Sequence, residues 1–332
     1  MSWSKDLLFG KGVGGWIVIA ALAVTFVVPF FADRYQLYII QFIAYQVIIA
    51  VGLSLLMGYT GQGSVAHPGF AAIGAYLSTI LTIKFGIPFL LAAPLSAAVA
   101  GGVGWLLGFP ALRLSGHYLL LDTLGFLQIV QVILVTWVPV TGGPAGMKAA
   151  VPMIGSIRFG SVDMLYWLIL PTTLFLIVIA FNIVNSRIGR AFTAIRDSAI
   201  AAASVGIDVA RYKTLAFGLS AFYAGLAGTL YAPLIGFLDP LEFWLWSALA
   251  QVTFLVVGGI HSLWGAILGA ILLTGLPELL RAAQEFRELG FGMLLLGFLL
   301  FAKTGIVGRL SDLVQKRRRA AAADRAPKAT MP

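Results

Sequence analysis

The chain contains no cysteine. That excludes disulfides, a thiolate nucleophile and any cysteine-held metal. Its three histidines, His67, His117 and His261, lie far apart, which argues against a histidine-rich metal site. Charge is scarce. Asp, Glu, Lys and Arg make up 11% of the residues, against about 25% in a soluble domain. The apolar runs do not alternate at period two, so a transmembrane β-barrel is excluded. Nucleotide chemistry lacks its signature as well. Gly297-Phe-Leu-Leu-Phe-Ala-Lys-Thr304 has one glycine, an apolar interior and no strand-loop-helix context, so it is no phosphate loop. There is no Ser/His/Asp arrangement with supporting context and no helix carrying paired carboxylates. No residue is assigned as catalytic or as a metal ligand, and no cofactor is expected on this chain.

What is abundant is hydrocarbon. Hydrophobic residues form 60% of the 332, and the mean hydropathy is +0.97. Apolar runs near the roughly 20 residues needed to cross a bilayer recur from end to end. The expected fold is an all-α polytopic membrane protein of about ten spans. They are placed near 14–32, 37–57, 66–83, 87–109, 117–138, 163–184, 211–235, 244–259, 262–280 and 289–302. Those starting at 66, 244 and 289 are short enough to be half-helices or tilted. The first run ends at Asp33-Arg34-Tyr35 with no small-residue cleavage pattern, so it reads as a retained span and not a signal peptide. Gly58, Pro88, Pro110, Gly142-Gly143-Pro144, Gly206 and Asp239-Pro240 punctuate the joints.

Lysine and arginine set the orientation. With both termini in the cytoplasm, 16 of these cations fall inside and 6 outside. Residues 1–13 are then a cytoplasmic N-terminus and 14–302 the membrane domain, with a cytoplasmic loop at 185–210. Residues 303–332 form a basic tail. Its Lys316-Arg317-Arg318-Arg319 run is read as an anchor beside anionic lipid, and the net charge of +9 needs no nucleic acid to explain it.

Two polar features interrupt the apolar spans. Gly58 to Phe70 is Gly-rich and polar between apolar flanks. Non-helical backbone at membrane depth is tolerated only where protein buries it or a cavity wets it, and transporters place broken helices on their substrate path. On that reading Gln62, Ser64 and His67 line the route or gate. A plain cytoplasmic turn fits the same residues equally well. Asp122 interrupts the span beginning at His117. A carboxylate in lipid is a functional candidate, although Asp122 is also placed to reach the inner interface or to pair with Arg113. Gln128 and Gln131 do not share one stripe with it, which argues against a proton wire. Gly104–Gly108, Gly265–Gly269 and nearby Gly225–Gly228 allow close helix approach, within the chain or across a dimer.

Between two long apolar runs lies a basic segment, Ser186-Arg-Ile-Gly-Arg through Arg211-Tyr-Lys213. It cannot cross lipid. From Arg190 to Ser204, Phe192, Ile195, Ala199 and Ala202 recur at three- and four-residue steps, which predicts one amphipathic helix of about four turns. Gly206 is placed to close it in a left-handed cap and Asp208 to cap the next span. The apolar face is too small for lipid, and the Arg196-Asp197 pair suits a protein groove. A transporter without an ATP site either uses an ion gradient, for which only Asp122 and Glu278 speak, or borrows work from an ATPase docked on such a helix.

These residues resemble the permease subunits of bacterial branched-chain amino acid ATP-binding-cassette importers, closer to the LivM branch. The resemblance covers about residues 37 to 310. It rests on Gly58-Tyr-Thr-Gly-Gln with His67 and Phe70, and on Leu112-Arg-Leu-Ser-Gly-His-Tyr-Leu with Thr123-Leu-Gly-Phe. Thr141-Gly-Gly-Pro-Ala-Gly146, the 186–213 segment, and Val257-Gly-Gly-Ile with Ser262-Leu-Trp-Gly and Leu268-Gly-Ala complete it. Pro68-Gly69, Asp122 and Lys303-Thr-Gly305 depart from the family's pattern. The resemblance implies a type II importer-like architecture in a bacterial inner membrane. Its partners would be a second, LivH-like permease subunit, two cytoplasmic ATPases that carry the ATP and magnesium, and an extracytoplasmic solute-binding protein. Arg187, Gly189, Arg190, Arg196, Asp197 and Gly206 would form the element that couples to the ATPase. Related permeases carry urea, amides or other amino acids, and a gradient-driven secondary transporter is the alternative from another class.

Overall fold

A computed structural model describes residues 28–112, 116–154 and 157–279. The helices are α1 (Arg34–Leu53), α2 (His67–Lys84), α3 (Phe89–Ala111), α4 (His117–Thr136), the short α5 (Val138–Thr141), α6 (Val162–Asn185), α7 (Arg187–Asp197), α8 (Ala199–Ser204), α9 (Val209–Ile235), α10 (Leu245–Gly258) and α11 (Leu263–Leu279). The backbone of α1 runs on as a π-helical segment, Ser54–Tyr59. Eight of the ten expected spans fall on these helices. The expected span at 289–302, most of that at 14–32 and the basic tail lie outside the described residues. Among the described residues five helices are long and apolar enough to cross a membrane, and α10 and α11 are shorter.

Capping chemistry fixes the ends. The backbone N–H of Asp33 donates to Gln36 Oε1 at 3.1 Å, closing the first turn of α1. Ser161 accepts from the Met164 N–H to start α6. Pro68 occupies the opening turn of α2, where its missing N–H costs nothing. Pro68-Gly69 therefore starts the helix there.

Helix α9 is the axis of the described bundle and packs most extensively on α3, α2 and α1. Small residues make that possible. A Cβ on Gly74 would strike the Gly225 carbonyl, one on Gly228 would strike that of Ala71, and one on Gly104 would strike the Ala221 Cβ. Gly265 and Gly269 serve α10 against α11 in the same way, with the Gly258–Gly259 and Phe254 backbones. These glycines thus seal contacts within the chain. Lipid offers no hydrophobic drive between helices, so close van der Waals approach carries the association.

Tyr118 and Trp137 bracket α4 and are 70% and 56% exposed. They are nineteen residues apart, about 28 Å along a helix, close to the ~30 Å hydrocarbon core, and aromatic rings favour both its interfaces. The end away from α7 carries two small β pairings that composition did not foretell. Met147–Lys148 (β1) pairs antiparallel with Phe237–Leu238 (β4), and Met153–Ile154 (β2) with Ile157–Arg158 (β3). The Tyr35 hydroxyl donates to Glu278 there, tying α1 to α11.

Candidate functional site

Residues 61–66 are not helical, yet Gln62, Ser64 and Ala66 are buried. The segment is a break inside the bundle and not a surface turn. Neighbouring groups supply its backbone partners. Gln62 N–H donates to the Leu56 carbonyl at 3.2 Å and Val65 N–H to Thr123 Oγ1 at 3.1 Å. Ala66 N–H donates to Ser64 Oγ at 3.2 Å. Thr60 Oγ1 donates to the Leu56 carbonyl at 2.6 Å and receives Gln62 Nε2 at 2.9 Å. The π segment before it places the Leu56 carbonyl where both can reach it.

His67 opens α2 and is 1% exposed. Its Nε2 lies 2.6 Å from Ser220 Oγ, and the Ser220 hydroxyl donates to the Gly52 carbonyl at 2.7 Å. The serine's one proton is committed to Gly52, so this network assigns the imidazole proton to Nε2 and leaves Nδ1 as an acceptor. That Nδ1, Gln62 Oε1 and Ser54 Oγ are buried without a hydrogen-bond partner among the described residues. Ser220 is the twelfth residue of α9, about 17 Å along that helix. The break and the start of α2 therefore sit deep in the bundle.

At the mouth of the break three elements meet on one carbonyl. Arg196 Nη1 donates to Gly58 O at 3.2 Å, and His261 Nδ1 lies 3.3 Å from the same oxygen. The Arg196 side chain is only 16% exposed and also holds Asp197 Oδ1 at 2.9 Å. A charge-assisted bond of this kind contributes about 2 kcal/mol. Glycine is required on both sides. A Cβ at Gly58 would collide with the Ile260 carbonyl, and Gly61, at φ 72°, lies against the Arg196 stem.

The basic segment differs from its expected form. One helix over Arg190–Ser204 is replaced by two, because Ser198 leaves the helical region at φ −163° and ψ 112°. Its hydroxyl caps α8 by accepting from the Ala201 N–H at 3.2 Å. Phe192, Ile195 and Ala202 are buried as the periodicity required, whereas Ala199 is half-buried. Gly189 is buried against the Val184 backbone with no room for a Cβ. Arg187 and Arg190 are exposed. Gly206 closes α8 at φ 85° in a Schellman motif: Ile207 N–H donates to the Ala202 carbonyl at 3.1 Å and Gly206 N–H to that of Ala203 at 3.0 Å. Asp208 caps α9 through the Arg211 N–H at 3.0 Å.

The Ser198 break moves the outward face. Arg196 turns inward to the broken segment, and Ile200 and Val205 stand out at 86% and 75% exposed. Sequence reasoning missed this apolar knob. The signal was Ser198 itself, a capping residue inside the presumed helix.

Asp122 sits in the second turn of α4. Its Oδ2 is buried without a hydrogen-bond partner among the described residues, and Arg113 lies outside them. Leu120 and Thr123, in the same turns, do cover the break: Gly63 packs on Leu120 and Val65 bonds to Thr123. Asp122 hydrogen-bonds to none of Gln62, Ser64 or His67. Among the described residues no cluster could hold a metal.

Residues 35–303 match the family described as branched-chain amino acid transport system / permease component. The LivM permease protein of the high-affinity branched-chain amino acid transport system of Salmonella typhimurium is 32% identical, covering 87% of this chain and 74% of the relative. The LivH permease protein of the Escherichia coli K12 system is 28% identical, over 79% and 91% of the two chains. An autoinducer 2 import system permease protein, LsrC, from Yersinia pseudotuberculosis is 29% identical, over 81% and 76%. No solved structure matches.

Proposed function

The chain belongs to the branched-chain amino acid transport permease family, and we propose that it is the membrane-spanning subunit of an ATP-driven importer of branched-chain or related amino acids in a bacterial inner membrane. It works beside a second permease, LivH-like in kind. Two cytoplasmic ATPases bind and hydrolyse ATP with magnesium, and an extracytoplasmic binding protein selects the solute. The permease itself performs no chemistry. Both termini and the 186–208 insert face the cytoplasm, following the lysine and arginine distribution.

The observation that carries this reading is the bond from Arg196 to Gly58. The insert is joined to the broken segment by a charged side chain. Displacement of α7 and α8 by an ATPase then bears on the end of α1, which is π-helical, a rare form that recurs at functional sites. Gln62, Ser64 and His67 lie just past that turn, at the gate. Ile200 and Val205 enter a groove on the ATPase, with Arg187 and Arg190 beside them for charge complementarity. Leu120 and Thr123 hold the α4 end against the gate.

Co-expression with the partner subunits tests this. Ile200→Glu with Val205→Glu places charge on the knob without touching Arg196. The account expects the ATPases to be lost on purification while the permease still elutes folded. Retention at wild-type yield would contradict it.

A further inference from the structure

At the end opposite α7, three elements bring four aromatic rings under one carboxylate. Tyr45 of α1 and Tyr231 of α9 stack with centroids 4.4 Å apart and planes 24° from parallel. Phe42 lies 5.9 and 6.3 Å from them, and Phe243 meets Tyr231 edge-on at 5.9 Å. The Tyr231 hydroxyl donates to Glu242 Oε2 at 2.7 Å. Glu242 stands on the turn Pro240–Phe243, pinned when Leu241 N–H donates to Asp239 Oδ1 at 2.8 Å.

The carboxylate is thus oriented from one side and open on the other. Leu241 and Glu242 are exposed while Pro240 and Phe243 are buried, so the turn points the carboxylate outward. Among the described residues no cation lies within ion-pair distance of it. At this end Arg34 is engaged by Asp163 at 3.7 Å, and Lys84 by the Pro139 carbonyl at 2.9 Å. A positioned carboxylate with no cation in ion-pair distance among the described residues, beside half-buried Phe42, is a receptor for a group that is cationic at one tip and hydrocarbon behind it.

We propose that Glu242, oriented by Tyr231, receives the primary ammonium of the incoming solute at the outer mouth, with the solute's hydrocarbon part against Phe42. The proposal rests on the permease reading and adds to it a substrate-contacting residue on this chain. The site discriminates ammonium-bearing solutes from neutral or anionic ones of the same shape.

The test needs no mutation at first. The intact importer in nanodiscs, without binding protein, is treated with a water-soluble carbodiimide, and Glu242 labelling is read by peptide mass spectrometry. L-leucine is expected to slow labelling, and 4-methylpentanoate, which lacks the amino group, to leave it unchanged. No protection, or equal protection by both, would overturn the proposal. Protection by solute-free binding protein but not by leucine would also overturn it, because the cation would then be a protein lysine. As a second arm, Glu242→Gln is expected to weaken radiolabelled leucine binding by up to about fivefold, the range of an exposed ion pair, and Tyr231→Phe to weaken it less. Unchanged leucine binding in Glu242→Gln would contradict the assignment. ATP-driven uptake of leucine by the wild-type complex is measured separately. Its absence alongside protection would sink the permease reading and leave the site standing.

Discussion

The guanidinium of Arg196 and the carbonyl of Gly58 meet at 3.2 Å although 138 residues separate them. One belongs to the basic insert and the other to the last turn of the first described span. The basic insert and the broken segment are joined at that bond. The break lies beyond Gly58, the exposed knob lies beyond Arg196, and His261 of the α10–α11 turn rests on the same oxygen.

Removing the link is expected to uncouple the machine before it unfolds it. Arg196→Gln should cost about 2 kcal/mol of local stability, the value of a charge-assisted hydrogen bond. ATP hydrolysis by the assembled importer should continue while solute uptake falls. Uptake and hydrolysis measured on the same proteoliposomes check this, and a parallel fall in both would speak against a transmitting role.

Gly61→Ala should hurt more than its size suggests. The residue sits at φ 72°, where a side chain is strained, and the new methyl would press on Arg196. A loss of about 1–2 kcal/mol is expected, read as a lowered melting temperature of the detergent-solubilised chain.

Gly228→Val attacks the α9 axis instead. The Ala71 carbonyl occupies the space the side chain needs, and interior backbones cannot move apart without losing every neighbouring contact. Folded protein should fall below detection in a fluorescence-detected size-exclusion assay, whereas Gly102→Ala, with nothing near its Cβ position, should express normally.

His67→Ala should leave the buried Ser220 oxygen without its donor, although the hydroxyl still bonds to the Gly52 carbonyl. Leaving a buried polar group without its mate costs about 1–3 kcal/mol. Ser220→Ala combined with His67→Ala should cost less than the sum of the two single changes, and a double-mutant cycle on thermal stability reads that coupling.

Asp122→Asn separates the two energy sources. A gradient-driven carrier would lose uptake. The importer account expects ATP-dependent uptake to survive, because Asp122 hydrogen-bonds to none of the buried polar residues of the break.

Much of this was legible in the sequence. Gly and Pro punctuate the spans, so α6 and α9 fall within two residues of their expected bounds. Gly206 acts as a cap because a residue without a Cβ tolerates φ 85°, and Asp208 because its carboxylate accepts from the Arg211 N–H. The π turn was not legible: Ser54 to Tyr59 is as apolar as the helix before it, and a wider hydrogen-bond ring leaves no compositional trace. Nor was the role of Arg196, which as a surface cation in an amphipathic pattern was assigned to a partner's groove. Its true neighbour comes from a distant part of the chain, and the Ser198 break that turns the helix toward it depends on a single capping hydroxyl. The Tyr45–Tyr231–Glu242 cluster was invisible for the same reason, being drawn from three separate elements.

The absence of cysteine makes the decisive measurement clean. Ile200→Cys would be the only thiol in the chain, at a position 86% exposed. It is reacted with a membrane-impermeant maleimide in intact cells, in inside-out vesicles and in vesicles retaining the ATPases. The account expects no labelling from outside, full labelling of the stripped vesicles and protection when the ATPases are bound. Labelling in intact cells would place the insert on the wrong face of the membrane and contradict the coupling role assigned to it.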